Sequence, residues 1–179
     1  MIIIETERLI LRAFRESDLA DFYEYASAEG VGEMAGWSRH KTVEESRSVL
    51  QRFIAGNEVF AIALKNTGKV IGSIGIHDRT RYAWFSGGEY ASLNTKEIGY
   101  ALSKDYWGQG IMTEACRAVI GYAFGGLGLD ALFIAHFVEN ARSQRVIEKC
   151  GFNYIRNADF FAEQLQKTFN ERIYILYKR

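Results

Sequence analysis

Two glycines stand where a strand pattern changes into a helix pattern, between Glu97 and Glu114. The junction reads Trp-Gly-Gln-Gly-Ile-Met-Thr from residue 107, so Gly108 and Gly110 form a Gly-x-Gly turn. Glycine lets a backbone approach a ligand closely, and the free N–H groups and positive dipole end of the next helix favour an anion. The pattern is typical of phosphate or pyrophosphate binding, although such glycines are also common in simple strand-to-helix turns.

Two better-known nucleotide loops are absent from the sequence. There is no G-x-x-x-x-G-K-[ST] segment, and the first strand–helix unit has no G-x-G-x-x-G with an acidic residue about 20 positions later. Kinases, ATPases and dehydrogenases are therefore disfavoured. The His, Cys, Asp and Glu residues lack metal-ligand spacing, so we predict no metal site. His77 and His136 fall within predicted strands and are interpreted as structural.

Four segments, in order along the chain, resemble the GNAT superfamily of N-acetyltransferases. Residues 107–115 resemble its acetyl-CoA pyrophosphate loop, and residues 97–100 (Glu-Ile-Gly-Tyr) resemble the strand before that loop. Residues 6–12 resemble the opening strand of the branch that includes the ribosomal-protein N-terminal acetyltransferases (Rim type). Residues 140–152 resemble the strand–helix element that follows. Together these segments extend over nearly the whole chain.

The resemblance implies direct transfer of acetyl from acetyl-CoA to an amine. The pantetheine arm would lie between two splayed strands and bond backbone groups near Leu102, and Asn140 would contact the cofactor. The pyrophosphate would be held by amides of the loop and helix start, which are Gly108, Gln109, Gly110, Ile111, Met112 and Thr113. Trp107 and Met112 differ from the commoner superfamily residues but are familiar in the Rim-type branch. The proton-donating tyrosine of many members is here Ile147.

Acetyl transfer requires a neutral amine, and this favours an α-amine as acceptor. An α-amine has a pKa near 7.7–8.0 and a lysine about 10.4, so deprotonating lysine at neutral pH costs roughly 3.4 kcal/mol more. Glu97 is the candidate base, acting through water, and the alternative is a solvated glutamate at a strand end. Ser143 is the candidate donor to the leaving thiolate, and the alternative is a serine in the first turn of a helix capped by Asn140.

Three further features concern the acceptor. Residues 16–33 contain six acidic side chains and no Lys or Arg, which could attract a basic substrate or form a solvated helix face. The aromatic residues of the loop 79–92 indicate a substrate lid or a dimer contact, and Trp37 is a candidate for the acceptor pocket. We expect a protein N-terminus as acceptor. A small amine (polyamine, amino sugar or antibiotic) and a non-catalytic acyl-CoA-binding module are the alternatives.

The composition is that of an ordinary globular domain of 179 residues, 48% hydrophobic and 25% charged. Basic and acidic residues are equal at 22 each, which removes the simplest argument for nucleic acid or an anionic membrane as partner. The first residues lack the pattern of a signal peptide, and the longest apolar stretch, residues 118–138, is interrupted by Asp130 and four glycines, so we expect no membrane span. We predict a cytoplasmic monomer or homodimer with Cys116 and Cys150 as reduced, buried thiols.

Hydrophobic periodicity predicts the elements that position the loop. Helices are expected after the N-caps Ser17 and Thr42 and over residues 109–125 and 141–150. Strands are expected near 8–14, 58–65, 69–77, 93–103, 131–138, 152–160 and 169–178. This order predicts a mixed sheet in a single α/β (α+β) domain over 1–179. The GNAT resemblance implies a mostly antiparallel central sheet of six to seven strands flanked by about four helices.

Overall fold

A sheet of eight strands forms the middle layer of the fold in a computed structural model that describes residues 2–78 and 88–179. The strands are β1 (Ile4–Glu5), β2 (Leu9–Ala13), β3 (Val59–Leu64), β4 (Val70–His77), β5 (Thr95–Leu102), β6 (Ala131–Phe137), β7 (Asn153–Ala162) and β8 (Lys167–Tyr177). Their order in the sheet is β1-β2-β3-β4-β5-β6-β8-β7. Only β5 and β6 pair in parallel within this described sheet, so the predicted mixed, mostly antiparallel sheet is confirmed.

Four helices in the described residues cover the sheet, as predicted: α1 (Leu19–Ala26), α2 (Val43–Gly56), α3 (Ile111–Gly125) and α4 (Ala141–Lys149). α1 and α2 pack through Phe22 and Leu50 into one apolar cluster with β3 and β4. α3 and α4 pack through Val119 and Ile147 into a second cluster on the other side. In α3 the buried residues Ala115, Val119 and Ala123 recur every four positions, which is the spacing of one helix face.

The sheet contains one strand more than the upper count that was predicted. The additional strand is β1, whose two residues pair with β2 as Ile4↔Leu11 and Glu5↔Ile10. A two-residue segment is too short to show the alternation by which a strand is recognised in sequence. The correction therefore concerns the edge of the sheet and leaves its centre as predicted.

The start of α1 differs from the prediction, because Ser17 is not its N-cap. A 3-10 turn (Glu16–Asp18) precedes the helix. In this turn Asp18 accepts a hydrogen bond from the Arg15 N–H at 2.8 Å and pairs with the Arg12 guanidinium at 2.7 Å. A carboxylate that binds a guanidinium and a backbone N–H together is a stronger organiser of this turn than a serine hydroxyl.

The two other N-caps considered from the sequence, Thr42 and Asn140, are confirmed. Thr42 Oγ1 accepts the Glu45 N–H at 3.1 Å, and Asn140 Oδ1 accepts the Ser143 N–H at 3.1 Å. Each bond satisfies one of the N–H groups that a helix start leaves without an acceptor. Asn140 thereby fixes the first turn of α4, in which Ser143 lies.

The two cysteines are free thiols that lie beside each other, on α3 and directly after α4. Cys116 is buried, as predicted, but Cys150 is only half-buried. A hydrogen bond with Cys150 and burial raise the pKa of the Cys116 thiol. In residues 2–78 and 88–179, no helix has the length and apolar character needed to cross a membrane.

Candidate active site

β5 and β6 separate at the centre of the sheet. Their parallel pairing runs from Thr95↔Ala131 to Ile98↔Ile134 and then ends. β5 continues beside β4 as far as Leu102, while β6 continues beside β8 as far as Phe137. The two strands thus diverge into a V-shaped opening, the splayed pair that the GNAT resemblance implies.

The backbone of β5 directs polar groups into this opening. Asn94 O accepts from Asp130 N on the β6 side, whereas Ser103 N donates to Ile71 O on the β4 side, both at 2.8 Å. Since successive strand residues direct their N–H and C=O groups to opposite sides, Tyr100 and Leu102 direct theirs toward β6, beyond the end of the pairing. Backbone donors and acceptors therefore line the place where an extended ligand could add like a strand.

A cavity of about 220 Å³ occupies the wider part of the opening. Its walls are β5, the loop after β5, the start of α3 and one side of α4. Seven of the residues predicted to contact the cofactor line it: Leu102, Gly108, Gly110, Ile111, Met112, Thr113 and Asn140. Gln109 does not line it, because the Gln109 side chain turns back and donates to Asp105 O at 2.7 Å. The structure shows where these eight residues lie, and their roles in binding the cofactor stay predictions.

The loop and the start of α3 together form a cluster of N–H donors. Gly108 and Gly110 have φ values of +75° and +76°, a region that L side chains rarely adopt. The first helical bond runs from Glu114 N to Gly110 O at 3.0 Å, so the N–H groups of the three residues between them have no acceptor within the helix. A Cβ built on Gly108 would meet no atom within 4 Å. Packing of the chain itself therefore does not require these glycines, and the space beside them suits an anion.

A hydrogen-bonded brace holds this loop from behind. Arg8 Nη1 donates to Gln109 O at 3.0 Å, and Arg8 Nε pairs with Glu114 Oε2 at 2.7 Å. Thr6 Oγ1 donates to Glu114 Oε1 at 2.6 Å. Partial burial acts to raise the pKa of Glu114, but the hydrogen bonds from Thr6 and Arg8 outweigh it and the pKa is lowered. Sequence reasoning did not pair these residues, since more than 100 positions separate Arg8 from Glu114 and no periodicity links them.

Basic residues of α4 form the opposite wall of the cavity. The Arg142 guanidinium lies 4.1 Å from the centre of the Trp107 ring, and Trp107 Nε1 donates to Leu102 O at 2.8 Å. Arg145 and Lys149 also line the cavity. A guanidinium held over an indole ring keeps its charge and direction, which favours contact with phosphate groups.

A second cavity of about 100 Å³ adjoins the first at the narrow end of the opening. Its acidic lining residues are Glu97 and Glu171, which are only 5% and 3% exposed. The two cavities share lining residues, and these are Met34, Ala35, Tyr100, Asn140 and Ser143. The two adjoining cavities, here called the passage, extend from the N–H donors of α3 to a pair of buried carboxylates.

Ser143 stands at the junction of the two cavities. It is buried, and its Oγ lies 2.8 Å from the hydroxyl of Tyr100. Asn140 accepts the Ser143 N–H and also donates through Nδ2 to Met34 O at 3.3 Å, which ties α4 to the segment before α2. Burial raises the pKa of Tyr100, so its phenol stays protonated near neutral pH. The structure thus brings Ser143 and Glu97 to one passage, while their chemical roles stay predictions.

Glu171 and His136 line the second cavity, and sequence reasoning assigned no site role to either. A signal for Glu171 existed, because Phe169, Glu171 and Ile173 alternate as buried positions of β8, so the glutamate had to face inward. His136 has Nδ1 at 2.8 Å from Phe137 O and Nε2 at 3.1 Å from the Tyr174 hydroxyl. Burial lowers the pKa of His136, which keeps the ring neutral near pH 7.

The acidic segment 16–33 is largely engaged within the fold. Asp18 pairs with Arg12, as described above, and Asp21 accepts the Val70 N–H at 2.8 Å. Glu24 pairs with Lys69 at 2.7 Å, and Glu33 accepts the Gly30 N–H at 2.7 Å. Four of the six acidic side chains therefore have partners within the fold, and the choice between a patch that attracts a basic substrate and a solvated helix face stays a prediction.

The remaining aromatic candidates do not line either cavity where they are described. Trp37 packs against His40, with ring centres 5.3 Å apart, and lines neither cavity, so its place in the acceptor pocket stays a prediction. Tyr90 is buried against Phe133 at 5.2 Å. Residues 79–87, with the other aromatic residues of that loop up to Phe85, lie outside the described residues. Within the described ranges there is no group of three or more His, Cys, Asp or Glu side chains that could hold a metal.

Several proteins that resemble this chain are named as acetyltransferases. The family model of the acetyltransferase (GNAT) domain matches residues 8–153. The uncharacterized N-acetyltransferase YoaA of Bacillus subtilis is 28% identical over 155 residues, which is 84% of this chain and 82% of YoaA. A GNAT-family acetyltransferase from Bacillus anthracis has the same fold, with a TM-score of 0.83, 24% identity and 98% of each chain covered. So does the ribosomal-protein-S5-alanine acetyltransferase from Vibrio fischeri, with a TM-score of 0.76, 20% identity and coverage of 99% and 97%.

Proposed function

The chain belongs to the acetyltransferase (GNAT) domain family, and on that premise we propose that it transfers acetyl from acetyl-CoA to the α-amine of a protein or peptide N-terminus. The observation that carries the proposal is the passage of two adjoining cavities between β5 and β6. It has the N–H cluster of α3 at one end, the Ser143 hydroxyl at its junction, and the carboxylates of Glu97 and Glu171 at the other end. The N–H cluster suits the phosphates of the donor, the Ser143 hydroxyl suits the thioester, and the two carboxylates suit the amine.

The wide cavity fits the CoA portion of the donor. The α3 start and its two glycines offer N–H groups and room to a pyrophosphate, and Arg142 adds charge from the other wall. The inward-directed backbone groups of Tyr100 and the N–H of Leu102, whose carbonyl oxygen already accepts from Trp107, would bond an extended pantetheine arm as a neighbouring strand does. Acetyl-CoA supplies an activated acyl group, whose thiol resembles a cysteine with a pKa of about 8.5 and so leaves readily.

The narrow cavity fits an amine acceptor, because two buried carboxylates attract a protonated amine. Glu97 takes the proton of the ammonium, through water, and leaves a neutral nitrogen. The nitrogen then forms a bond with the acyl carbon while the C–S bond breaks, and the electron pair of that bond goes to sulphur. The second proton of the amine returns to solvent. Ser143 donates a hydrogen bond to the sulphur, whose negative charge increases as the bond breaks.

The choice of an α-amine follows from the energetic cost of deprotonation. A lysine side chain costs roughly 3.4 kcal/mol more than an α-amine to neutralise at pH 7. An α-amine therefore places the smaller demand on a carboxylate base. The ribosomal-protein-S5-alanine acetyltransferase, which shares this fold, bears a name that fits the same choice.

A panel of amines tests the acceptor. Purified protein is incubated with acetyl-CoA and either short peptides with free N-termini or small amines (a polyamine, an amino sugar and an aminoglycoside), and CoA release is followed. Each peptide has a matched control whose N-terminus is blocked and which keeps its lysines. We expect turnover with free N-termini and none with blocked ones. Turnover with only the small amines would replace the proposed acceptor, and turnover with neither group would contradict the transferase proposal.

A further inference from the structure

Tyr100 reaches the junction of the cavities from β5. It lies two residues beyond Ile98, the last residue of β5 that pairs with β6. Ile98 and Leu102 both pack into the cluster with α3 and α4, and Tyr100, which alternates in phase with them, stands on the same face. Its phenol therefore extends over the opening toward the first turn of α4.

The hydrogen bonds of this phenol favour one direction of donation. The Tyr100 oxygen lies 2.8 Å from Ser143 Oγ and 3.4 Å from the carbonyl oxygen of Ser143. If Ser143 donated to the phenol, the Tyr100 proton would be left with the longer contact, which is at the limit of a hydrogen bond. Donation by Tyr100 to Ser143 Oγ uses the short contact instead. The Ser143 proton then points away from Tyr100, into the passage that Ser143 lines.

On the basis of the proposed function, we infer that Tyr100 is a positioning residue for acetyl transfer, which directs the hydroxyl proton of Ser143 toward the sulphur of the departing thiolate. Tyr100 O–H donates to Ser143 Oγ, and Ser143 O–H donates to sulphur. No proton changes place in this chain. The sulphur keeps the electron pair of the broken C–S bond and later takes up a proton from water. A hydroxyl that accepts one hydrogen bond is a stronger donor of the next.

The state and surroundings of Tyr100 suit this role. Burial raises the pKa of the phenol, so it remains a donor over the whole range in which an α-amine loses its proton. On α4, position 147 is a fully buried isoleucine one turn beyond Ser143. Ile147 lines neither cavity, and the phenol that lies beside Ser143 comes from β5.

Ionisation of the CoA thiol in the bound complex tests the inference without an acceptor. Thiolate absorbance in the ultraviolet is measured against pH for the CoA complex, with the desulfo-CoA complex subtracted to remove protein and adenine signals. We expect the thiol of CoA bound to the wild-type protein to titrate about one pH unit below that of free CoA, since a hydrogen bond to a charged group has this effect. Tyr100→Phe, Ser143→Ala and the double variant should all return the thiol to the value of free CoA.

Matched variants exclude a merely structural role. Tyr23→Phe removes an exposed hydroxyl that contacts Lys41 O, and Ser48→Ala removes an exposed hydroxyl on α2; both should leave the thiol titration unchanged. With an acceptor, Tyr100→Phe should lower kcat about tenfold and leave the KM for acetyl-CoA unchanged. The inference is overturned if CoA bound to Tyr100→Phe has the same thiol titration as CoA bound to the wild type and the variant has the same kcat. Failure of the wild-type protein to bind CoA would instead overturn the proposed function.

Discussion

Glu97 is the residue whose substitution tests the acid–base chemistry most directly. Its carboxylate is buried on β5, opposite Phe133, and lines the narrow cavity. We expect Glu97→Gln to lower kcat at least about tenfold, because general-base catalysis contributes about a hundredfold or more, and to leave the KM for acetyl-CoA unchanged. Steady-state assays with the best acceptor of the panel measure both constants.

Glu171→Gln is the matched control for Glu97→Gln, since both residues are buried glutamates of one cavity. We expect it to raise the KM for the acceptor more than it lowers kcat. If Glu171→Gln gave the larger loss of kcat, the general base would be Glu171 and the assignment to Glu97 would be wrong.

The brace between Glu114, Thr6 and Arg8 makes stability depend on pH. The pKa of Glu114 is lower in the folded chain than in the unfolded chain, so the unfolded chain binds more protons between the two values. The stability from this brace is present above the unfolded pKa of about 4.3 and is lost as the pH falls through the folded pKa. Because solvent screens a partly exposed pair, it contributes about 1 kcal/mol.

Thermal unfolding of the wild type and Glu114→Gln from pH 3 to pH 7 measures that contribution. We expect the variant to melt about 2–4 °C lower above pH 5 and the difference to disappear toward pH 3. A difference that stayed constant over this range would show that the Glu114 carboxylate has no charge-dependent role in the brace.

The structural roles of residues could be predicted from the sequence where those roles depend on near neighbours in the chain. Thr42 and Asn140 cap helices because capping needs only a side chain and an N–H three residues later. The partnership of Arg8 with Glu114 depends instead on residues that are distant in sequence. Periodicity carries no information about such partners.

The start of α3 is the element on which donor binding depends. A Cβ on Gly110 would meet only Arg8 Nη2, at 3.6 Å, so its surroundings do not require glycine for packing. We expect Gly110→Val to weaken acetyl-CoA binding at least tenfold, because the side chain would occupy the space proposed for the pyrophosphate and strain a residue with φ of +76°. Calorimetric titration of the folded variant with acetyl-CoA measures the change.

Gly68→Val separates backbone strain from lost binding. Gly68 has φ of +74° and open space around it, but it lies in the turn between β3 and β4, away from both cavities. The strain should be similar at the two positions, and acetyl-CoA affinity should fall only for Gly110→Val. Equal affinity in the two variants would mean that the Gly108–Gly110 loop does not hold the donor.

Elements were predicted more completely than contacts. The buried run of β6 and the amphipathic α3 and α4 follow from hydrophobic patterns that tertiary packing then satisfies. The separation of β5 from β6 after Ile98 left no mark in the periodicity of either strand. The separation was predicted only from the resemblance to the GNAT superfamily, because the divergence of two strands is a property of the pair and not of either sequence segment.

At the scale of the molecule, the proposed function rests on the fit of acetyl-CoA to the opening between β5 and β6. The equal numbers of basic and acidic residues argue against nucleic acid or an anionic membrane as the partner. The acceptor depends on the side chains around a cavity of about 100 Å³, and hydrophobic periodicity does not describe them. Fold alone leaves the acceptor open, because function resides in the site that a fold carries. Donor binding is therefore the claim from which the others follow.

The most direct test of that claim is thermal unfolding of the purified protein with and without acetyl-CoA, with ATP and NAD as controls. A ligand at a hundred times its dissociation constant stabilises the folded state by about 2.7 kcal/mol. For a domain of this size, the midpoint should rise by about 5–10 °C with acetyl-CoA and remain unchanged with NAD and ATP. No rise at millimolar acetyl-CoA would contradict the account, because the transferase proposal and the roles of Glu97, Ser143 and Tyr100 all depend on a bound donor.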